Sequence, residues 1–233
     1  MTDNAIPSKD PANEGTLAGV LSAVFKKQLQ GVDDMLPAEV IAYDRVANVA
    51  TVRPLVMVLT TDDQTVRRAQ IARVPVLALG AGDFVINFPV KAGNKGWIKA
   101  NDRDISLYLQ GLKEAQPNTT RLHSFEDGLF IPDVLNQYTL AGDVADDDMV
   151  IQNLDGTIRV IIGPAKVRVV HPVLIELEAP DVKLIGDLEV TGTSLLSGYV
   201  TATTGAEIAG IDFETHTHSG VDPGAGNSGP PNP

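Results

Sequence analysis

Two histidines, His216 and His218, stand one residue apart in the C-terminal stretch "FETHTHSGVDPGAGNSGPPNP", and they are half of the four in the chain. In extended backbone, residues two apart project to the same side, so both imidazoles point one way. Imidazole suits iron, zinc, copper or nickel, but two ligands make only part of a closed shell. Neither Glu nor His follows His218, so the missing ligands have to come from upstream or from other chains.

Other residues offer weaker chemistry. "GAGNSG", Gly224 to Gly229, satisfies G-x-G-x-x-G by letter, yet Pro230, Pro231 and the last residues follow it where a dinucleotide fold needs a helix. His123 and His171 are isolated from each other and from the pair, the ordinary situation of a structural histidine. Asp146, Asp147 and Asp148 form an acidic run without the alternating spacing or the glycine of a calcium loop, which reads as a solvated turn. The single tryptophan, Trp97, has the face to stack on a sugar, but such a residue more often fills a core. Thirty acidic residues leave room for a glycosidase pair, and nothing marks one out. There is no nucleophile elbow and no metallopeptidase motif.

Composition narrows the partners. The chain has 233 residues, with 18 Lys and Arg against 30 Asp and Glu, a formal charge of −12. Without a concentrated basic run, nucleic acid is not an expected partner. Cysteine is absent, which removes disulfides, thiolate ligands and cysteine nucleophiles. The polar start lacks the basic and apolar regions of a signal peptide, and the apolar stretch near Ile71 to Val90 is broken by Arg73 and Asp83, so no membrane span is expected.

The elements that must carry the pair fall into five pieces. Residues 1–34 read as an arm and a helix, since Leu17, Val20, Leu21, Val24, Phe25 and Leu29 recur at spacings of three and four. One face of that helix needs its own domain or a sister subunit. Residues 35–115 alternate short β-rich runs with Gly, Asn and Asp clusters, beginning with a hairpin turning at "DRVAN", and suggest an OB-fold barrel. Residues 116–148 read as a connector. Over 149–213 aliphatics pair two apart, as in Ile158 and Val160, Val167 and Val169, Val182 and Leu184, or Leu188 and Val190. Thin strands of this kind cannot enclose a core within one chain and would leave edges bare. Three chains wound about one axis solve both problems as a triple-stranded β-helix. If His216 and His218 then face the axis, three chains bring six imidazoles around one ion. Residues 214–233 form the tip.

"FVINFPVKAGNKGWIKANDRDIS", "RLHSFEDGLFIP", "GDLEVTGT" and above all "THTHSGVDPGAGNSGPP" resemble successive parts of the central spike, or membrane-piercing needle, proteins of contractile phage tail baseplates. The resemblance implies a mainly β, non-enzymatic homotrimer with an OB domain, an intertwined β-helix and a metal-bound apex. It implies that His216 and His218 bind iron, one ion per trimer. The implied partners are other hub or tube proteins of the baseplate and, in a transient and mechanical contact, the host outer membrane. The implied place is the baseplate tip of the virion, after assembly in the host cytoplasm. Two other classes share features of the chain. Cupin-like jelly-roll enzymes also use an H-x-H pair, but their remaining ligands lie downstream, and here only Glu214 offers a nearby carboxylate. A carbohydrate-binding or cell-wall-degrading tail component is the other.

Overall fold

The computed structural model describes residues 15–60 and 64–212. Helix α1, Leu17–Leu29, begins where Thr16, in extended conformation, accepts a hydrogen bond from the Gly19 amide at 3.1 Å. Its apolar residues, among them Leu17, Phe25 and Leu29, are exposed, so the helix does not bury its stripe in its own domain. The residues after it are tied down. The Asp33 amide donates to the His123 carbonyl, and the Asp33 carboxylate pairs with Arg68 at 2.9 Å.

Five strands build the barrel: β1 (Met35–Asp44), β2 (Val49–Pro54), β5 (Ile71–Pro75), β8 (Lys95–Arg103) and β9 (Leu122–Pro132). They form one sheet in the order β5-β2-β1-β8-β9. The residues after β5 then meet β9 through a parallel bridge between Val76 and Phe130, so the ring nearly closes with OB connectivity. The β1–β2 turn falls at the expected "DRVAN". Asp44 accepts from the Val46 and Ala47 amides, and Asn48 takes a left-handed φ of 51°. Register shifts between Val40 and Ala42, Ala50 and Val52, and Lys99 and Asn101 bend the long strands toward closure.

Alternation decides the core. Ala38, Val40, Ala50, Val52, Val74, Val76, Ile98, Ala100, Phe125 and Phe130 point inward and are buried. Gly96 leaves room for the Phe130 ring, because a Cβ there would strike that ring and the Ile131 carbonyl oxygen. Two small hairpins leave the barrel, β3 (Val58–Leu59) with β4 (Thr65–Val66) and β6 (Leu79–Ala81) with β7 (Phe84–Ile86).

Two segments differ from the sequence expectation. "SLYLQG", read among β-rich runs, is a short helix, α2 (Ser106–Gly111): Asp104 accepts from the Ser106 amide at its start, and Leu112 closes it with a φ of 50°. Residues 122–132, read within the connector, are strand β9 of the barrel sheet. Glu126, Asp127 and Gly128 interrupt the apolar pattern there and disguise it, although Asp127 is itself buried.

Beyond the barrel, β10 (Met149–Gln152), β11 (Arg159–Ile162) and β12 (Val167–Val170) pair within the chain as an antiparallel meander. The β10–β11 turn is held by Asp155, which accepts from Thr157, and by Gly156 at a φ of 71°. The chain divides into two units, Met1–Ile175 and Glu176–Pro233. In the second, the described residues pair only as the hairpin β13 (Glu207–Ile208) and β14 (Ile211–Asp212), while Leu177, Val182, Leu184, Leu188 and Val190 stand exposed. The described protein is thus mainly β, with a near-closed barrel as its self-contained core.

Candidate metal-binding apex

His216 and His218 lie outside the described residues, four and six positions past the end of β14 at Asp212. The β13–β14 turn before them is tight. Ala209 and Gly210 take φ values of 52° and 80°, both left-handed, the combination that matches the twist of a two-residue hairpin. Ile208 faces Ile211 across it and Glu207 faces Asp212. Among the described residues no three His, Asp or Glu side chains converge as a metal site would require.

The other two histidines have structural employment. His123 sits in a left-handed turn of the strand with a φ of 47°, and its Nε2 lies 3.1 Å from the Asp102 carboxylate. His171 accepts at Nδ1 from the Val173 and Leu174 amides, both at 3.2 Å, which closes the turn after β12. Asp148 closes the acidic run by accepting from the Ala145 amide at 2.9 Å, and the run forms a turn.

Trp97 does not fill the core. Gly96, Ile98 and Ala100 take the inward positions of β8, which leaves the indole half-buried on the outer face. Its Nε1 donates to Asp133 at 2.7 Å, so the ring is held against the sheet between β1 and β9.

Sequence reasoning missed a buried acidic pair under the loop from α2 to β9. The Asp104 side chain is fully buried and receives the Thr119 hydroxyl at 2.7 Å. Ser106, whose amide donates to it at 2.9 Å, acts most strongly, and with Thr119 it holds the Asp104 carboxyl far below the usual carboxylate range. Asp127, nearly as buried, is pushed upward by desolvation against the pull of Arg121. Arg121 bridges the two, at 3.4 Å to Asp104 and 3.1 Å to Asp127. One Asp127 oxygen, Oδ2, has no partner. The signal was the polar interruption "EDG" in an otherwise apolar strand; it marks a clamp of β9 to the loop before it.

Comparison with known proteins bears on both ends of the chain. Residues 36–133, the span of the barrel from β1 to just past β9, match the phage protein Gp138 N-terminal domain. Residues 213–232, which contain both His216 and His218, match the GpV apex motif. No curated relative matches the chain. Both matched segments are those of structural phage tail proteins, which assemble with other tail proteins in the virion tail, and the apex motif is the feature associated with metal binding at the tip. With one segment matching the Gp138 N-terminal domain and another the GpV apex motif, the chain matches phage baseplate central spike proteins over these two segments.

Proposed function

We propose that the protein is a homotrimeric spike that breaches the host outer membrane when the tail contracts, its point tied together by one iron ion held by His216 and His218 of three chains. The observation that carries this reading is the order of parts in one chain: a barrel matched to a phage tail domain, a run of exposed aliphatics, and an H-x-H pair inside the apex match. Chain ends fray because they have few neighbours, and a spike fails first at its point. A six-coordinate ion joining three ends there removes that weakness. The barrel side joins hub or tube proteins of the baseplate, the membrane contact is transient and mechanical, and assembly takes place in the host cytoplasm. In this division the arm and helix span 1–34, the connector precedes 149, and the β-helix runs over 149–213 to a tip at 214–233.

Light scattering should give the mass of three chains, and elemental analysis about one iron per three chains. Zinc is less expected, since its structural sites are normally four-coordinate. Replacing His216→Ala and His218→Ala together should abolish the metal and leave the three-chain mass intact, because neither residue belongs to the aliphatic run. Metal content unchanged in the double variant, or absent in protein purified without chelator, overturns the ligand assignment.

A further inference from the structure

The segment that joins β8 to β9 is fastened by charge and not by packing. None of residues 105–121 is buried, and Tyr108, Leu109 and Leu112 stand in solvent, Leu112 at 71 %. Among the described residues, the hydrogen bonds from this segment to the rest of the barrel end on three carboxylates. Asp104 joins its two ends, accepting from the Ser106 amide at 2.9 Å at the start and from the Thr119 hydroxyl at 2.7 Å near the finish. Arg121 then reaches Asp104 at 3.4 Å, Asp127 at 3.1 Å and the exposed Glu126. The remaining backbone bonds are internal, from the Leu109 amide to Ile105 and from the Leu112 amide to Tyr108. The segment is therefore a strap with one polar staple at its base.

We infer that residues 105–121 form a hinged flap, held shut while Arg121 serves one ionised carboxylate at the staple and loosened when Asp127 gains a second charge beside it. One guanidinium nitrogen, Nη2, touches both buried carboxyls, so the two share a single site with one positive charge between them. Like charges in one site oppose each other's ionisation. Their partners decide which one yields. Asp104 has donors from Ser106, Thr119 and Arg121 and keeps its charge. Asp127 has Oδ1 on Arg121, while its Oδ2 is buried with no donor, a setting that favours the protonated acid. Arg121 and Asp104 are the charged groups that face Asp127. Its neighbour Glu126 is exposed and divides the same guanidinium, and His123 turns to Asp102 instead. Burial pushes the Asp127 carboxyl upward, against the pull of Arg121 and in step with the Asp104 charge.

The direction of the pH response follows. With the flap open, Asp127 lies in water and loses its proton near the ordinary value of about 3.9. With the flap shut it holds the proton to higher pH, so rising pH favours opening until the closed form has also ionised. Asp104, held low, stays charged well into acid. The flap is thus tightest in mild acid, where the pair carries one proton, and looser above.

Hydrogen exchange of the full-length protein, followed by mass spectrometry and corrected for intrinsic rates, tests this by comparing residues 105–113 with strand β2. From mild acid to neutral pH, flap protection should fall by about tenfold for each unit by which closure raises the Asp127 pKa, while β2 holds level. Asp127→Asn keeps the shape of the side chain and cannot ionise, so its flap should show no such fall. Thr119→Ala opens the staple at one end and should lower flap protection at neutral pH with β2 unchanged. Flap protection that stays level in the parent, or that falls equally in Asp127→Asn, overturns the role of Asp127. Unchanged protection in Thr119→Ala overturns the staple. If β2 loses protection by the same factor as the flap, the opening is that of the whole barrel, and the hinged flap is overturned.

Discussion

The barrel and the residues from Met149 to Asp212 spend similar aliphatic material in opposite ways. In the barrel, inward positions of five strands meet one another, and Phe130 and Ile98 are wholly buried. In the later region Ile161 is the buried hydrophobic among the described residues, while Leu188 is 70 % exposed and Ile185 more so. The lesson concerns where the partner of a side chain is found. A ring of strands brings its own partners; a meander with one bare face and an extended chain without strand pairing do not. Stability in the first region is a property of one chain, and in the second the proposed trimer would make it a property of chain number.

The largest expected effect breaks that contrast from the shared side. Val160→Asp places one carboxylate per copy on the bare face of the meander, beside Ile151 and Val169. If the face is covered in the assembly, each uncompensated charge costs on the order of 3–5 kcal/mol, and the three-chain mass should be lost in light scattering. In a free single chain the same change is nearly silent. Phe130→Ala attacks the self-contained side. Removing this fully buried ring should cost about 3–5 kcal/mol, read as a lower denaturant midpoint of the barrel transition at every protein concentration. A midpoint that recovers on raising concentration would show that the barrel, too, relies on other copies.

Smaller effects sharpen the barrel's own account. The Asp104 carboxyl is held below its unfolded value of about 3.9, so it stabilises the fold above that value and the contribution fades as pH falls toward its folded pKa. Thr119→Ala weakens that hold. The variant should be less stable at neutral pH and converge with the parent in acid, and a constant difference across the whole range would contradict the assignment. Asp127 works in the opposite sense, because burial raises its pKa. Its charge opposes folding once the pH exceeds the unfolded value. Asp127→Asn should therefore gain stability at neutral pH, and the gain should vanish in acid as the carboxyl protonates. Loss of stability at neutral pH would mean that the pairing with Arg121 outweighs desolvation.

Much of the first region was legible along the chain. The helix at Leu17–Leu29 follows from its three-and-four spacing, and the β1–β2 hairpin from the polar residues of "DRVAN" between alternating runs. Strand β9 was hidden because burial of Asp127 and the close approach of Gly128 to the Phe125 and Lys99 carbonyls are tertiary facts that look like a loop in sequence. Trp97 was misjudged for a related reason. Its place on the outer face is set by the phase of β8, which Gly96 and Ile98 reveal only when Phe130 is known to lie above them. The bareness of one meander face was only partly legible, since Val150 and Ile161 on the other side blur the alternation that Arg159 and Arg168 support. His216 and His218 were legible as a pair by spacing alone, and as an apex only by resemblance, because the proposed ligand shell, shared by several chains, would leave no further trace in one of them.

The hydrogen bond from Trp97 to Asp133 has an optical consequence. The chain has one indole, and it is fastened to the barrel's outer face by a partner 36 residues away. Its emission therefore reports on that wall and is silent about everything from Met149 onward, where the aliphatic strands absorb only in the far ultraviolet alongside one tyrosine, Tyr199. Two melting curves from a single sample, one by indole emission and one by backbone dichroism, thus view different portions of the same molecule. Coincident curves would mean that the spike comes apart as one body, and separated curves would give the order in which wall and shaft let go.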